Sequence, residues 1–299
     1  MSDEKRVEIF RRQRAKLFGI AYRMLGASAE AEDILQEAYL RWHNTDPNEI
    51  ETPEAWLVAV VTRLSIDRLR KASKERETYI GPWLPEPLIT SEAPTPEEEM
   101  LFASNLSLAF MALLERLSPV ERAVFLLHDV FDLGYAEIAR VVGKTEAAAR
   151  QMIYRARQRL RTDKPRFETN SEERAKLIEK FSAASRMGDE KSLLALFSDE
   201  ISMISDGGGN VTAARKIVRG KNRLARLFSL TGAKNGKFLK DFPTLINGEP
   251  GLVTFYQDKV FAVTTFEIAD GKITAIYRVM NPDKLKAFSD LSEKAFSQN

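Results

Sequence analysis

The residues whose types could do chemistry most directly lie in a basic stretch at positions 134–161. Residues 134–166 contain nine Lys and Arg against three acidic residues, a local charge of +6 in a chain whose formal net charge is only +2. Arginine side chains bind phosphate oxygens, and polar side chains near the start of a helix can reach base edges in the major groove. The composition of this stretch therefore predicts DNA binding.

Two short helices joined by a tight turn must position these basic groups. Ile138, Ala139 and Val142 form an apolar face, Gly143 supplies the turn, and Thr145 is placed to cap a second helix. Apolar residues of that helix recur at helical spacing and are predicted to face inward: Ala149, Ile153, Ala156 and Leu160. The residues predicted to face the DNA are Thr145, Glu146, Arg150, Gln151, Tyr154, Arg157 and Arg161. The pattern is that of a helix-turn-helix, and a helical hairpin with a solvated basic face is the alternative.

Bulk composition favours a cytoplasmic protein of several domains. The chain has 299 residues, 44% of them hydrophobic, which is enough for two or three cores. It has no cysteine and two histidines that lie far apart, His43 and His128, so neither a disulfide framework nor a metal or other cofactor is expected. The charged first ten residues do not resemble a secretion signal, and the longest conspicuous apolar run, 56–61, is too short for a membrane span.

Composition divides the chain into four parts. Residues 5–76 and 101–166 have helical patterns, and the proline-rich, acidic segment 77–100 between them is predicted to be a linker. Residues 171–299 begin with helical stretches at 171–186 and 189–198 and continue with strand-like alternation. The predicted strands are 200–205, 211–219, 237–246, 251–257, 259–268 and 272–280. Three dipeptides predict hairpin turns: Asn247-Gly248, Gln257-Asp258 and Asp270-Gly271.

Two amphipathic helices are predicted in the first part. One opens at Ser28 or Ala29, with Ile34, Ala38 and Leu40–Arg41 around its inner stripe. The other spans 53–74, and its inward residues are expected to be Trp56, Val60, Leu64 and Leu69. Taken alone, these helices are equally well explained as parts of an ordinary helical bundle.

The order of motifs along residues 5–165 resembles a bacterial sigma factor of the extracytoplasmic-function type. A DILQE helix is followed by an AWLVAVVTRLSIDRLRK helix, an acidic linker, and LSPVERAVFLLHDVFDLGYAEIARVVG. The resemblance implies two helical domains, region 2 and region 4, that bind core RNA polymerase and a two-part promoter. The implied polymerase-binding residues are Asp33, Gln36, Glu37, Leu40 and Arg41. The loop 44–53 and helix 53–74 correspond to the part that recognises and opens the −10 element, with Trp56, Arg63, Asp67, Arg68, Arg70 and Lys71. Helix 145–161 corresponds to the reader of the −35 element.

Further motifs resemble one subgroup of these factors, which carries a SnoaL-like extension. They are YIGPWLPEPL in the linker, GKTEAAARQ in the recognition helix, SDGGGN at 205–210 and MNPDKL at 280–285. The implied fold is an α+β cone with a central pocket that follows two all-α sigma domains. The glycine motif of the subgroup usually ends in Lys, whereas Asn210 stands here. An intramolecular regulatory interface is predicted at Trp83, Leu84, Pro85, Asp206, Gly207, Gly208, Gly209, Asn281, Pro282, Asp283 and Lys284.

Each of these motifs also has a purely structural explanation. Trp83 is explained as a buried anchor of the linker, the glycines as a strand-end turn, and Asn281-Pro282-Asp283 as a helix start. Catalysis in the extension would require a set such as Asp206, Tyr256 and Tyr277, but no histidine follows residue 128 and no acid–base pair is evident. A pocket that senses a small molecule and a pocket filled by Phe and Leu side chains both remain open.

The combined prediction is a monomeric, non-enzymatic transcription initiation factor. It binds core polymerase and promoter DNA, and its own C-terminal domain modulates its activity. Two alternatives are a SnoaL-like enzyme or ligand sensor fused to a DNA-binding regulator, and a helix-turn-helix repressor that acts without polymerase. The helix that corresponds to the polymerase-binding part of sigma factors argues against the repressor, which would have no need of it.

Overall fold

A computed structural model describes residues 3–46, 48, 50–90, 95, 101, 106–160 and 170–288 of the chain, which divide into two units. The first unit contains the chain up to Glu77 and the helices from Phe110 onward to residue 160. The second contains the segment that starts at Thr78 and the chain from residue 170. None of the described helices is long and apolar enough to cross a membrane.

Three long helices form the first half of unit one: α1 (Asp3–Leu25), α2 (Ser28–Asn44) and α3 (Pro53–Arg76). Pro53 at the first turn of α3 suits a position whose backbone N–H has no partner within the helix. Ile34 and Ala38 of α2 are buried as predicted. The prediction was wrong for Leu40, which is 57% exposed, and for Arg41, which is exposed as well, because both lie beyond the surface that packs on α1 and α3.

The buried stripe of α3 is displaced from the predicted one. Leu69 is buried as expected, but Trp56, Val60 and Leu64 are only partly buried. The buried positions of this helix include Leu57, Val58, Val61, Thr62, Ser65 and Ile66. The stripe is wide because α3 packs on α1 and α2 and also on two helices of the second half of the unit.

The second half of unit one contains α4 (Leu108–Leu114) from Phe110 onward, α5 (Pro119–Phe125), α6 (Tyr135–Val142) and α7 (Glu146–Leu160), with a π-helical turn at Leu126–Val130. Ser118 and Glu121 form a capping box at the start of α5. Gly143 ends α6 in the left-handed conformation, and the Thr145 hydroxyl accepts a hydrogen bond from the Ala148 N–H (3.2 Å). The helix-turn-helix is therefore formed as predicted, with Val141 rather than Val142 buried.

A buried arginine ties the two halves of unit one together. The Arg122 guanidinium donates hydrogen bonds to the carbonyl oxygens of Met24 (2.8 Å) and Leu114 (3.0 Å) and forms an ion pair with Glu115. Helix α3 also packs on α5 and α6. In this arrangement the two helical domains form one packed body.

Unit two is a sheet covered on one face by helices. The described strands are β1 (Ile89–Thr90), β2 (Phe197–Asp206), β3 (Val218–Arg219), β4 (Leu239–Ile246), β5 (Glu249–Tyr256), β6 (Lys259–Ala269) and β7 (Lys272–Val279), in the order β1-β4-β5-β6-β7-β2-β3. Only the β2–β7 pair is parallel among the described strand pairs. The helices are α8 (Ser171–Met187), α9 (Glu190–Leu196) and α10 (Lys221–Asn235). Short 3₁₀ turns span Gly236–Phe238, Pro282–Lys284 and Lys286–Phe288.

The three predicted hairpin dipeptides all have positive φ at both residues, which matches the right-handed twist of the strands they join. One predicted strand was wrong: within 211–219 only the last two residues are in the sheet. Val211 and Ala213 instead lie against Gly207, so the segment folds back on the glycine turn. Helix α10 was not anticipated, although Leu224, Ala225 and Phe228 have helical spacing and are buried.

Candidate functional site

The surface of α2 that the sequence assigns to polymerase binding is exposed throughout. Asp33, Gln36, Glu37, Leu40 and Arg41 are all exposed on this helix. Glu37 and Arg41 form an i, i+4 ion pair (2.8 Å). Both side chains of this pair are about half exposed, so it contributes little to folding.

The predicted −10 surface of α3 is only partly free to contact DNA. Arg63, Asp67, Arg70 and Lys71 are exposed, although Arg70 pairs with Asp67 (2.9 Å). Two other members of the predicted set have internal partners. Arg68 binds Glu30 (2.5 Å), and the Trp56 ring packs 5.7 Å from the Trp42 ring centroid.

Arg63 connects α3 to the helix-turn-helix. Its Nε donates to the carbonyl oxygen of Val141 (2.8 Å), and its Nη2 donates to that of Arg140 (2.9 Å). These carbonyls belong to the last turn of α6, where backbone acceptors lack helical partners and the helix dipole favours a cation. One predicted promoter-binding side chain is thus engaged by the other promoter-binding domain.

The exposed face of α7 carries the predicted −35 readers. Glu146, Arg150, Gln151, Tyr154 and Arg157 are exposed, Tyr154 by 63%, and Thr145 caps the helix. Arg150 binds Glu146 (2.8 Å) and lies over the Tyr135 ring. The Arg157 Nε donates to Asp129 (2.9 Å). Arg161 lies outside the described residues.

Asp206, at the end of β2, is the centre of a buried polar cluster within unit two. Its side chain is fully buried (0% exposed). The carboxylate accepts hydrogen bonds from the Tyr79 hydroxyl (2.5 Å) and the Leu84 N–H (2.8 Å), and it pairs with the Lys284 Nζ (2.7 Å). Tyr79 and Leu84 belong to the proline-rich segment, whereas Lys284 follows the last strand. A single carboxylate therefore joins three distant parts of the chain.

Aromatic and apolar contacts extend this cluster along the proline-rich segment. The Lys284 Nζ lies 4.0 Å from the centroid of the Trp83 ring and also donates to the Leu84 carbonyl. Leu84 and Pro85 are buried. Four residues after Pro85, Ile89 and Thr90 form strand β1 on the edge of β4. The segment is thus held at both ends by the sheet that follows it in sequence.

The glycine turn admits close approach by other residues. Gly208 and Gly209 have positive φ, and a Cβ at Gly208 would lie 2.4 Å from the Asn281 Nδ2. A Cβ at Gly209 would lie 2.9 Å from Ile80. Asn281 caps the Pro282–Lys284 turn by accepting from the Asp283 N–H (3.1 Å) and donates to the Tyr79 hydroxyl (3.0 Å). Gly207, Gly208, Gly209, Asn281, Pro282 and Asp283 therefore adjoin the Asp206 cluster.

Asn210 takes part in this network through its side-chain amide. Its Nδ2 donates to Asn281 (3.2 Å) and to Asp283 (3.3 Å). A lysine at this position would bring a positive charge to Asp283. The asparagine offers an uncharged donor instead, so the turn keeps a polar link to the Asn281 segment without an ion pair.

Comparison with known proteins assigns the helical domains. Residues 9–75 match the family described as Sigma-70 region 2, and residues 107–160 match Sigma-70, region 4. Over nearly its whole length the chain is similar to the ECF RNA polymerase sigma factor SigJ of Mycobacterium tuberculosis, with 37% identity over 96% of this chain and 95% of SigJ. The chain belongs to the extracytoplasmic-function sigma factors. It is therefore a factor that directs transcription initiation by RNA polymerase.

The similarity includes the domain after region 4 of this sigma factor. The crystal structure of SigJ matches with a TM-score of 0.75 and 34% identity, covering 93% of this chain and 98% of that chain. A second relative, ECF RNA polymerase sigma factor SigW of Bacillus subtilis, matches a smaller part of this chain: it is 31% identical over 49% of this chain and 81% of SigW. The fold is thus two sigma domains followed by an α+β SnoaL-like domain.

Sequence reasoning about the sigma factor missed two residues of the Asp206 cluster. Tyr79 and Ile80 precede the prolines of the segment, and Tyr79 contacts both Asp206 and Asn281. Burial and the Asp206 carboxylate raise the pKa of Tyr79, so the phenol keeps its proton and acts as a donor. An aromatic residue within YIGPWLPEPL was the available signal.

The three residues considered for catalysis do not share one pocket. In the parallel register Ile204 pairs with Tyr277 and Asp206 with Val279, so Tyr277 and Asp206 point to the sheet face opposite Arg278 and Ser205. Tyr256 points to the same sheet face as Thr254. The Thr254 hydroxyl donates to Asp241, which also accepts from Ser182 of α8, so this is the helix-covered face. Asp206 is also engaged by the proline-rich segment. This set provides no acid–base arrangement.

Proposed function

We propose that the SnoaL-like domain of this sigma factor controls transcription by holding the proline-rich segment that joins regions 2 and 4. The observation that carries this proposal is the burial of Asp206 against Tyr79, the Leu84 N–H and Lys284. Because the segment also connects the two promoter-binding domains, holding it limits how those domains are placed. We further propose that the sigma factor acts in the cytoplasm, where it meets core polymerase.

The physical basis of control is a tethered interaction. The binding partner of the segment is part of the same chain, so its effective concentration is high and weak contacts suffice. The prolines keep the segment extended, which lowers the entropy lost when it binds. Asp206 then adds charge-assisted hydrogen bonds at one end, and the β1–β4 pairing adds backbone bonds at the other.

The contacts of Arg63 support the view that this is a resting arrangement. Arg63 occupies the α6 carbonyls rather than remaining free, while α3 packs on α5 and α6. Promoter binding through two separated elements would require α3 and α7 to engage DNA at the same time. We infer that regions 2 and 4 separate before promoter recognition and that release of the segment permits this.

Within the active state we propose separate roles for the α7 arginines. Arg150→Ala should weaken −35 binding by about 1–3 kcal/mol and relax the preference at one or two base pairs. Arg157→Ala should weaken all sequences alike and reduce the salt dependence, since a phosphate contact carries no base information. Binding to a panel of −35 variants at two salt concentrations separates the roles. A uniform loss in both variants, with unchanged base preference, would show the assignment to be wrong.

Reconstituted transcription with core polymerase tests the regulatory proposal. Trp83→Ala in the full-length protein removes the ring beneath Lys284 and should raise promoter output about two- to fivefold. A tenfold change in the equilibrium between held and released segment corresponds to about 1.4 kcal/mol, and the loss of this cation–π contact is expected to cost less. Met187→Ala, at an exposed position of the same domain, is the matched control and should leave output unchanged. Equal output from both variants and the wild type would remove the basis of the proposal.

A further inference from the structure

The helix-covered face of the sheet in the SnoaL-like domain carries a polar group that the regulatory site does not use. The register places Arg278 on β7 beside Thr264 on β6 and Ser205 on β2. Two residues along these strands, the paired Ile276 and Phe266 point to the same face and belong to the apolar core. Arg278 therefore follows directly on the core, on the same side of the sheet.

The Arg278 guanidinium makes no hydrogen bond to any residue that the structure describes. Its Nε is buried and unbonded. Its Cζ lies 5.8 Å from the Phe228 ring centroid and 5.5 Å from that of Phe261. Burial lowers the pKa of Arg278, and the Asp241 carboxylate opposes that decrease. The residue as a whole is only partly buried, so the guanidinium combines a buried, unbonded Nε with an edge that a ligand can approach. An unsatisfied buried donor is costly, and a ligand that accepts from it would remove that cost.

Asp241 does not satisfy Arg278 directly. One carboxylate oxygen accepts from the Thr254 hydroxyl (2.7 Å) and the other from the Ser182 hydroxyl (2.6 Å). No ion pair within 4.0 Å joins Asp241 to Arg278 among the described residues. On this face the Asp241 carboxylate already accepts two hydrogen bonds, whereas the Arg278 guanidinium still has N–H groups that can donate.

Aromatic rings lie next to the guanidinium and reach toward solvent. The ladder between β5 and β6 shifts register after Thr254, and such bulges re-aim side chains. The Phe261 ring at this shift lies 6.0 Å from that of Tyr256, which in turn lies 6.0 Å from Phe238. Phe238 is exposed, and Tyr256 and Phe261 are partly buried. The rings form a wall suited to the apolar body of a small molecule.

We propose that the helix-covered face of this domain binds a small carboxylic acid with an apolar body, with Arg278 as the carboxylate receptor. A guanidinium matches a carboxylate in a planar, two-bond geometry, and the flanking phenyl rings accept the remainder of the ligand. The site is on the opposite sheet face from Asp206. This proposal does not depend on regulation through the proline-rich segment.

Thermal unfolding and calorimetric titration of the full-length protein test the site with benzoate and octanoate, each compared with its neutral amide. We expect both acids to stabilise the protein at millimolar concentration and to bind at least tenfold more tightly than their amides. Arg278→Met should abolish this preference. Without a probe, the same variant should melt at or above the wild-type temperature, because it removes a buried Nε that has no hydrogen-bond partner.

Arg278→Lys keeps the charge and guards against misfolding of the methionine variant. It should bind the acids several-fold more weakly than the wild type, because an ammonium group cannot form the parallel pair of bonds. Three results would overturn the site: equal binding of acids and amides, no binding of any probe, or unchanged acid binding in both variants. Marked destabilisation of both variants without probe would instead assign Arg278 a structural role and also overturn it.

Discussion

Asp206→Asn in the full-length sigma factor should raise transcription from its promoters severalfold in a reconstituted assay. The Tyr79 hydroxyl and the Leu84 N–H donate to different oxygens of the Asp206 carboxylate, and an amide has an NH₂ group in place of one of them. The amide also carries no charge to pair with Lys284. Leaving a buried donor unsatisfied costs about 1–3 kcal/mol. A loss of about 2 kcal/mol shifts the equilibrium between held and released segment by roughly thirtyfold.

Asp199→Asn is the matched control for this change. Asp199 lies on the same strand and also pairs with a lysine, Lys221, but this ion pair is exposed and distant in sequence from the proline-rich segment. It should alter neither output nor melting temperature appreciably, as expected for surface ion pairs. If both variants raise output equally, the effect is not specific to the segment. If Asp206→Asn lowers output while the domain stays folded, the segment must be held for activity rather than against it.

Glu37→Lys should abolish capture of core polymerase while leaving the melting temperature nearly unchanged. Glu37, Asp33 and Leu40 are exposed on one side of α2, where a partner can reach them. Reversing a charge in an interface places like charges together, which costs several kcal/mol of binding, on the order of a thousandfold in affinity. Pull-down with core polymerase and a thermal melt of the free protein provide the two readouts.

Glu8→Lys is the corresponding control on α1. Glu8 pairs with Arg12 four residues later, as Glu37 pairs with Arg41, and both pairs are exposed. The two substitutions therefore perturb their own helices alike, but only Glu37→Lys lies on the surface proposed to bind polymerase. A melting temperature that falls by many degrees for Glu37→Lys alone would make that carboxylate structural. Equal loss of polymerase capture in both variants would assign the effect to net charge.

The helical domains could be predicted well because their sequence signals come from residues that are close together in the chain. The helix-turn-helix needs only an apolar period, a glycine in the left-handed conformation and a hydroxyl cap, and Gly143 and Thr145 supply the last two. The stripe on α3 was displaced because its burial depends on helices from two parts of the chain. Helical spacing alone does not determine which neighbours cover which side.

Long-range contacts could be predicted only where a motif singled them out. Asp206 and Lys284 were placed at an interface from their motifs, yet the contacts with Tyr79 and Leu84 span more than a hundred residues. Strand register decides which side chains share a face, and that register emerges only from the folded sheet. Arg278 was missed for this reason: its alternation within β7 gives no indication of the rings of Phe228 and Phe261 beside it.

The most direct test of the central claim measures transcription by the Asp206→Asn, Trp83→Ala and doubly substituted proteins in one reconstituted assay. Both residues act through the same held segment, and each contacts Lys284. Neighbouring residues with a shared partner are expected to be non-additive. The account predicts that both single variants raise output and that the double variant does not exceed Asp206→Asn. Output unchanged in all three, or gains that multiply as for independent sites, would contradict control through the proline-rich segment.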